Sequence, residues 1–470
     1  MQLSIKIYAI LFFALCTFRG FAQKGTLIEF GWDYPDVSQL STNLPAMQNT
    51  PFDGICFSLQ RQIMDAFDTI LRQPAYYEQD KLSRLKWGKY KSNFVILWGF
   101  STSGNHWFDD NAWQIISTNM SNLSKALTNP GIKGVLFDPE YYYADQFYNP
   151  WTYNKKQYPN RSYAEVKAQV KKRGAQFIKA LQEYKADLSF LSIWITSLVI
   201  IEKRQAPLED TRHALLLPFI EGVLEAKQSS VKVIDGNEFG YYYSNPAQFL
   251  ETSSILRKEL VQLMESGKAK AEALKVEIAQ PLFYDGMVGI APSTDRGFST
   301  TAKWKWVEEN TKFAMAATDD ITWFYSERLN WWNGPINDTL YQVLDHNKKS
   351  QATNLSVKTK ATISDKLAIR TPNVNNGTGY YYLYDLKKPM KTGEPAFSYQ
   401  FNKRSKQLLL SFKEKIPATL SVYMNNVLFK TINPTGDTMV VKLDKFQKNK
   451  VAILAQYADG SQASAIEIYE

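Results

Sequence analysis

The sequence predicts a (β/α)8 TIM barrel followed by a small all-β sandwich. Two observations carry the barrel. Eight short apolar runs recur between residues 27 and 327, and amphipathic stretches separate them. The runs are continuous rather than alternating, as strands covered on both faces require. A third observation carries the sandwich: beyond residue 349 the texture changes to alternating apolar and polar residues broken by turn signals such as NPTGDT.

In chain order the predicted strands are LIEFGWD (27–33), DGICFSL (53–59), NFVILWGF (93–100), GVLFDPE (134–140), LSFLSIWI (188–195), VKVIDGNE (231–238), FYDGMVGIA (283–291) and ITWFYSE (321–327). Helical periodicity runs over 109–127, 162–184, 245–267 and 300–317. The helix over 162–184 opens on Ser162 with Glu165 three residues later, the pattern of a capping box. An open doubly wound sheet is the alternative architecture, but no GxGxxG follows any of these strands. The predicted organisation is a signal peptide over 1–22, a catalytic barrel over 23–350 and an accessory β-sandwich over 351–470.

The first residues have the form of a secretory signal. Lys6 precedes an apolar run, and Gly20-Phe21-Ala22 supplies small residues for cleavage after Ala22. No later segment approaches 18 unbroken apolar residues, so no membrane span is expected and the mature protein is expected to be secreted or periplasmic. A lipoprotein anchored at Cys16 is the weaker reading, because Phe13-Ala14-Leu15 makes a poor lipobox. Cys56 then remains as a lone cysteine within GICFSL, a core position rather than a nucleophile.

The net charge of +9 is uneven. Residues 351–470 hold 17 Lys+Arg and 9 Asp+Glu, a net of +8; the remaining 38 and 37 leave +1 for the first 350 residues. The excess fits a solvated basic face or contact with an acidic glycan. Nucleic acid is not an expected partner, since no recognised binding motif is present.

In a barrel of this kind chemistry collects at the C-terminal ends of the strands. Acids stand there: Asp138 and Glu140 after the fourth run, Asp235 and Glu238 after the sixth, Glu327 after the eighth. Glycosidic cleavage needs one carboxyl group held protonated and a second held ionised. Neighbouring acids push each other's pKa values apart and so supply both states. Glu140, Glu238, Asp138 and Glu327 are therefore the candidate catalytic residues. Trp32, Asp33, Trp98, His106, Trp107, Tyr141, Asp235, Tyr241, Trp331 and Trp332 are candidates for holding a carbohydrate substrate, since aromatic faces stack on sugar rings.

With these residues in view, the region from 25 to 345 resembles the (β/α)8 glycoside hydrolases, a secreted and little-characterised branch of them. GVLFDPE is similar in part to the fourth-strand D-x-x-D-x-D-x-E signature of the family-18 chitinases. Asp138 and Glu140 match its last two acids, while Lys133 and Leu136 occupy the two earlier positions. The resemblance implies Glu140 as general acid tuned by Asp138, with Glu238 as nucleophile or base and Glu327 as its substitute.

No metal site or cofactor is expected. The three histidines, His106, His213 and His346, fall on different units, which argues against a zinc hydrolase. No GxSxG elbow with a histidine partner is present, which argues against an esterase. The alternative to an enzyme is a non-catalytic glycan-binding protein on the same barrel.

Overall fold

The computed structural model describes residues 25–470 except 61–63, 103, 105, 144–147, 244–247, 286–299, 333, 335–336, 351–355, 363–391, 394–396, 403–404, 413–414, 444–449, 459–460 and 469–470. The signal peptide expected over 1–22 lies outside these residues.

Nine parallel strands form the barrel: β1 (Thr26–Gly31), β2 (Gly54–Phe57), β3 (Asn93–Trp98), β4 (Ile132–Asp138), β5 (Ser189–Ser192), β6 (Lys232–Asp235), β7 (Glu277–Ile278), β8 (Gln280–Phe283) and β9 (Ile321–Ser326). Their order, β7-β6-β5-β4-β3-β2-β1-β9-β8, closes the sheet on itself. Only Ala279 separates β7 from β8, and its N–H donates to Asp235 O at 2.8 Å. One broken strand thus pairs with β6 through its first half and with β9 through its second, giving eight staves. All six residues of β3 are buried, and in β4 only Lys133 is exposed, as runs covered on both faces should be.

The seventh stave corrects the sequence reading. It ends at Phe283 rather than running over 283–291, and 286–299 lies outside the described residues. Gln280 and Pro281 disguise it: a polar residue and a proline make a poor strand signal. Pro281 is tolerated because β8 pairs on one side only, with β9.

The helices between the strands are α1 (Val37–Met47), α2 (Gln79–Arg84), α3 (Asp110–Ala126), α4 (Tyr163–Leu181), α5 (Ser197–Lys203), α6 (Leu216–Ala226), α7 (Gln248–Leu263), α8 (Gly267–Ala273), α9 (Thr300–Ala317) and α10 (Asp338–Ser350). Ser162 and Glu165 form the expected capping box at the start of α4. Helices α4 and α6 meet through glycines. A Cβ on Gly174 would lie 2.0 Å from Phe219 O, and one on Gly222 would lie 1.9 Å from Lys171 O. Cys56 is fully buried in the core.

The C-terminal strands are antiparallel and form a six-stranded and a three-stranded sheet. Leu408, Leu410, Leu420, Val422, Val451 and Ile453 make the core between them. Tyr423, Ala452 and Leu454 instead join the barrel's core, and Asn426 Nδ2 donates to Thr318 O at 3.1 Å. The sandwich is therefore packed on the barrel. No helix among the described residues is long and apolar enough to cross a membrane.

Candidate active site

The site grows from the end of β4. Asp138 is the last residue of that strand and is buried. Its Oδ1 accepts the Glu140 N–H at 2.8 Å, a short aspartate turn that swings the chain past Pro139. Its Oδ2 accepts the Tyr142 hydroxyl at 2.6 Å. Burial, reinforced by the Glu140 carboxyl group, pushes Asp138 up to about 8, against the lowering pull of those two hydrogen bonds.

The sixth strand delivers the partner. Asp235 ends β6, fully buried, and accepts N–H bonds from Ile195 (3.1 Å), Thr196 (2.9 Å) and Asn237 (3.0 Å). It ties the β5 and β6 loops together. Its own pKa is raised by burial against the lowering effect of these donors. Asn237 turns the chain through a left-handed φ of 50°. Its side-chain amide donates to Tyr243 Oη and Gln280 Oε1, which fixes the turn. Asparagine is among the few non-glycine residues that adopt this conformation readily.

Glu238 follows, half-buried, with its N–H on Ile193 O at 3.0 Å. Burial of its carboxyl group raises its pKa well above the ordinary value, and Glu140 and Asp138 raise it further. Glu140, Asp138 and Glu238 therefore share one electrostatic cluster, built from β4 and β6.

An aromatic wall from β9 and β1 borders this cluster. Tyr325 stacks on Tyr241, with ring centroids 5.1 Å apart and planes 14° apart, and also touches Phe30 and Phe283. Its hydroxyl accepts the Trp32 indole N–H at 2.6 Å. Burial raises the Tyr325 pKa, and Glu327, Glu238 and Glu140 add to the rise. Trp32 itself is 70% exposed.

The remaining sequence candidates divide. Glu327 is exposed, and its N–H donates to Asp285 Oδ2 at 2.9 Å. Asp33 is half-buried; its Oδ2 accepts the Trp331 N–H at 2.8 Å and its carbonyl accepts the Trp332 indole N–H at 3.1 Å. Trp331 is buried edge-on against Phe52 and Phe324, while Trp332 is half-buried. Trp98 is buried against Tyr34. Tyr141 is buried against Phe100 and Tyr143.

Trp107 belongs to the core beneath the loops. Its ring stacks on Trp113, and its indole N–H donates to Pro150 O at 3.1 Å. His106 beside it is half-buried. Among the described residues no group of three or more His, Cys, Asp and Glu side chains is arranged to hold a metal ion.

Two tyrosines join the site that the sequence reading did not single out, Tyr142 and Tyr325. Tyr142 stands four residues after Asp138 and two after Glu140, within reach of both. Tyr325 lies beside Phe30 in the β1–β9 register, one residue before the strand end.

No family model and no curated protein matches the chain. Solved structures do. A GH5-4 broad specificity endoglucanase from an uncultured bacterium aligns with a TM-score of 0.42 and 10% identity, over 70% of this chain and 94% of that one. A glucosidase from Croceicoccus marinus aligns with a TM-score of 0.35 and 7% identity, over 96% of this chain and 91% of that one. An endo-beta-1,4-mannanase of Cellulomonas fimi, as a double mutant, aligns with a TM-score of 0.34 and 8% identity, over 96% and 94%. All three names are those of glycoside hydrolases.

Proposed function

We propose that this protein is a secreted glycoside hydrolase acting on a polysaccharide or glycan. The observation that carries the reading is the cluster of Asp138, Glu140 and Glu238 at the barrel mouth, in which burial and mutual repulsion hold protons on Asp138 and Glu238. Cleaving a glycosidic bond requires a carboxylic acid beside a second carboxyl group, and a cluster of this kind supplies both at neutral pH.

The electrostatics favour an order of roles different from the one the resemblance implied. Burial and the neighbouring Glu140 and Asp138 raise the Glu238 pKa well above the ordinary carboxyl range, and Glu238 is the proton donor to the leaving oxygen. Glu140 is the nucleophile or general base. Asp138 holds the Glu140 backbone in place and shares the cluster's charge. Trp32, hydrogen-bonded to Tyr325 in the wall beside the cluster, offers a ring face to the sugar. Glu327 stands at the rim with its side chain in solvent and is a substrate contact rather than a member of the catalytic pair.

The test is sugar release from a broad polysaccharide panel by the mature protein, beside Glu140→Gln and Glu238→Gln. Both substitutions are expected to cut release by at least about a hundred-fold. A dinitrophenyl glycoside of the released sugar then separates the roles. Its leaving group needs no proton, so Glu238→Gln regains bond cleavage on it and Glu140→Gln does not. Release that survives both substitutions would remove the assignment of this cluster. Binding without release would make the protein a glycan-binding one.

A further inference from the structure

We propose that Tyr142 is both a sugar platform and the positioning residue of the acid cluster, so that one side chain links substrate stacking to the hydrogen bond on Asp138. The proposal rests on the glycosidase reading above and adds a residue and a role to it.

Tyr142 combines two properties that no other tyrosine of its triplet shares. The residue as a whole is 56% exposed. Its hydroxyl end is nevertheless turned inward onto Asp138 Oδ2 at 2.6 Å, in the electrostatic field of Asp138, Glu140 and Glu238. The exposure therefore belongs to the ring. Tyr141 before it is buried against Phe100 and Tyr143, and so has no face to offer. Tyr143 is 43% exposed but packs edge-on against Phe100.

A tyrosine with a wet face and a tethered tip suits a ligand whose ring is apolar on one side and polar at its edge. A pyranose is such a ligand: its axial C–H bonds cover the aromatic face, and its hydroxyls reach the neighbouring carboxyl groups. The tether also fixes the ring at little entropic cost, because the hydrogen bond to Asp138 already restricts both side-chain torsions.

The same bond acts on the chemistry. A hydroxyl donated to a carboxylate favours its charged form, so Tyr142 keeps Asp138 from holding its proton to still higher pH. A sugar stacked on the ring excludes water from that bond and strengthens it. The alternative reading of Tyr142, a loop residue that merely satisfies Asp138, predicts no effect of ring removal on glycan binding.

The experiment compares wild type, Tyr142→Phe and Tyr142→Ala. Binding of cellohexaose, mannohexaose, xylohexaose and chitohexaose is measured by calorimetry in the Glu140→Gln background, so that no ligand is consumed. Separately, the Asp138 carboxyl group is titrated by carbon NMR in aspartate-labelled protein, with Asp138→Asn as the assignment control. Thermal unfolding checks that each variant is folded.

Tyr142→Phe is expected to bind the preferred hexasaccharide as wild type does, while the Asp138 midpoint and the alkaline limb of activity rise by about one pH unit. Tyr142→Ala is expected to show the same rise and to weaken binding by about ten-fold. Equal binding by Tyr142→Ala and wild type overturns the platform role. An unmoved Asp138 midpoint in Tyr142→Phe overturns the positioning role. Wild type that neither binds nor cleaves any glycan overturns the glycosidase reading and the platform with it, while the Asp138 titration still decides the hydrogen bond by itself.

Discussion

Glu29 and Asp33 face each other across Gly31 at the end of β1, as a carboxyl pair that shares a proton. A Cβ on Gly31 would lie 2.9 Å from Glu29 Oε1 and 2.8 Å from Asp33 Oδ1. Glu29 is fully buried, and among the described residues no N–H or O–H of another residue reaches either of its oxygens. Two ionised carboxylates cannot stay so close in that setting. Burial raises Glu29 well above its ordinary value and the Asp33 charge raises it further, so Glu29 is the protonated member and donates to Asp33. Asp33 in turn holds Trp331 and Trp332.

The pair makes stability depend on pH in a defined direction. The folded chain keeps a proton on Glu29 that the unfolded chain releases near its ordinary value, about 4.3. The contribution is fully present below that pH and is lost as pH rises toward the folded value. One proton corresponds to a slope of about 1.4 kcal/mol per pH unit. Glu29→Gln keeps a donor for Asp33 and cannot titrate. Its unfolding free energy, measured in urea from pH 5 to 9, is expected to fall less steeply than that of wild type. Parallel curves would remove the shared proton.

The proposed catalytic cluster has its own expected pH signature. Asp138 releases its proton at about 8, which places a second negative charge beside Glu140 and Glu238. Glu238 then holds its own proton more tightly and becomes a weaker acid toward the leaving oxygen. Sugar release is therefore expected to decline as pH rises through about 8. Asp138→Asn cannot make this transition, and its alkaline limb should move to higher pH. A limb unchanged in that variant would show that another group sets it.

The barrel is legible in the sequence because strands buried on both faces leave unbroken apolar runs, as NFVILW and GVLF do, and because Ser162 and Glu165 write their cap directly. The seventh stave is hidden for the converse reason: Gln280 and Pro281 carry its pairing, so no unbroken apolar run marks it. Acids at strand ends identify themselves by position, so Asp138, Glu140 and Glu238 can be read as candidates. Aromatic roles cannot. Trp32 and Trp107 are the same residue type in similar loop settings, yet one is 70% exposed and the other sits in the core. In the run Tyr141-Tyr142-Tyr143 only the folded loop decides which hydroxyl meets Asp138.

Trp32 provides the test of the aromatic wall. Its indole N–H donates to Tyr325, while its exposed ring remains available to ligand. Trp32→Phe removes the hydrogen bond and keeps a face; Trp32→Ala removes both. Trp32→Ala is expected to raise KM by roughly ten-fold with a smaller change in kcat, since a stacking contact formed equally in ground and transition states is lost. Trp32→Phe should keep most of the affinity. An equal loss in both variants would assign the effect to Tyr325 orientation instead of stacking.

The contact between α4 and α6 yields a prediction independent of any activity. Gly174 and Gly222 allow the two backbones to meet, and each position faces a carbonyl oxygen rather than a movable side chain. A methyl group at Gly174 would meet Phe219 O at 2.0 Å, far inside contact distance, so the helices must separate. That separation opens the packing of Phe177 and Phe219, whose rings lie 5.3 Å apart between the helices and β4. The gain in helix propensity from Gly to Ala, about 1 kcal/mol, does not offset this. Gly174→Ala is expected to destabilise the protein by about 2 kcal/mol or more in chemical unfolding. Gly267→Ala is the control: it lies at the start of α8 with no atom within 4 Å of its added methyl group. There the same substitution should be neutral or slightly stabilising.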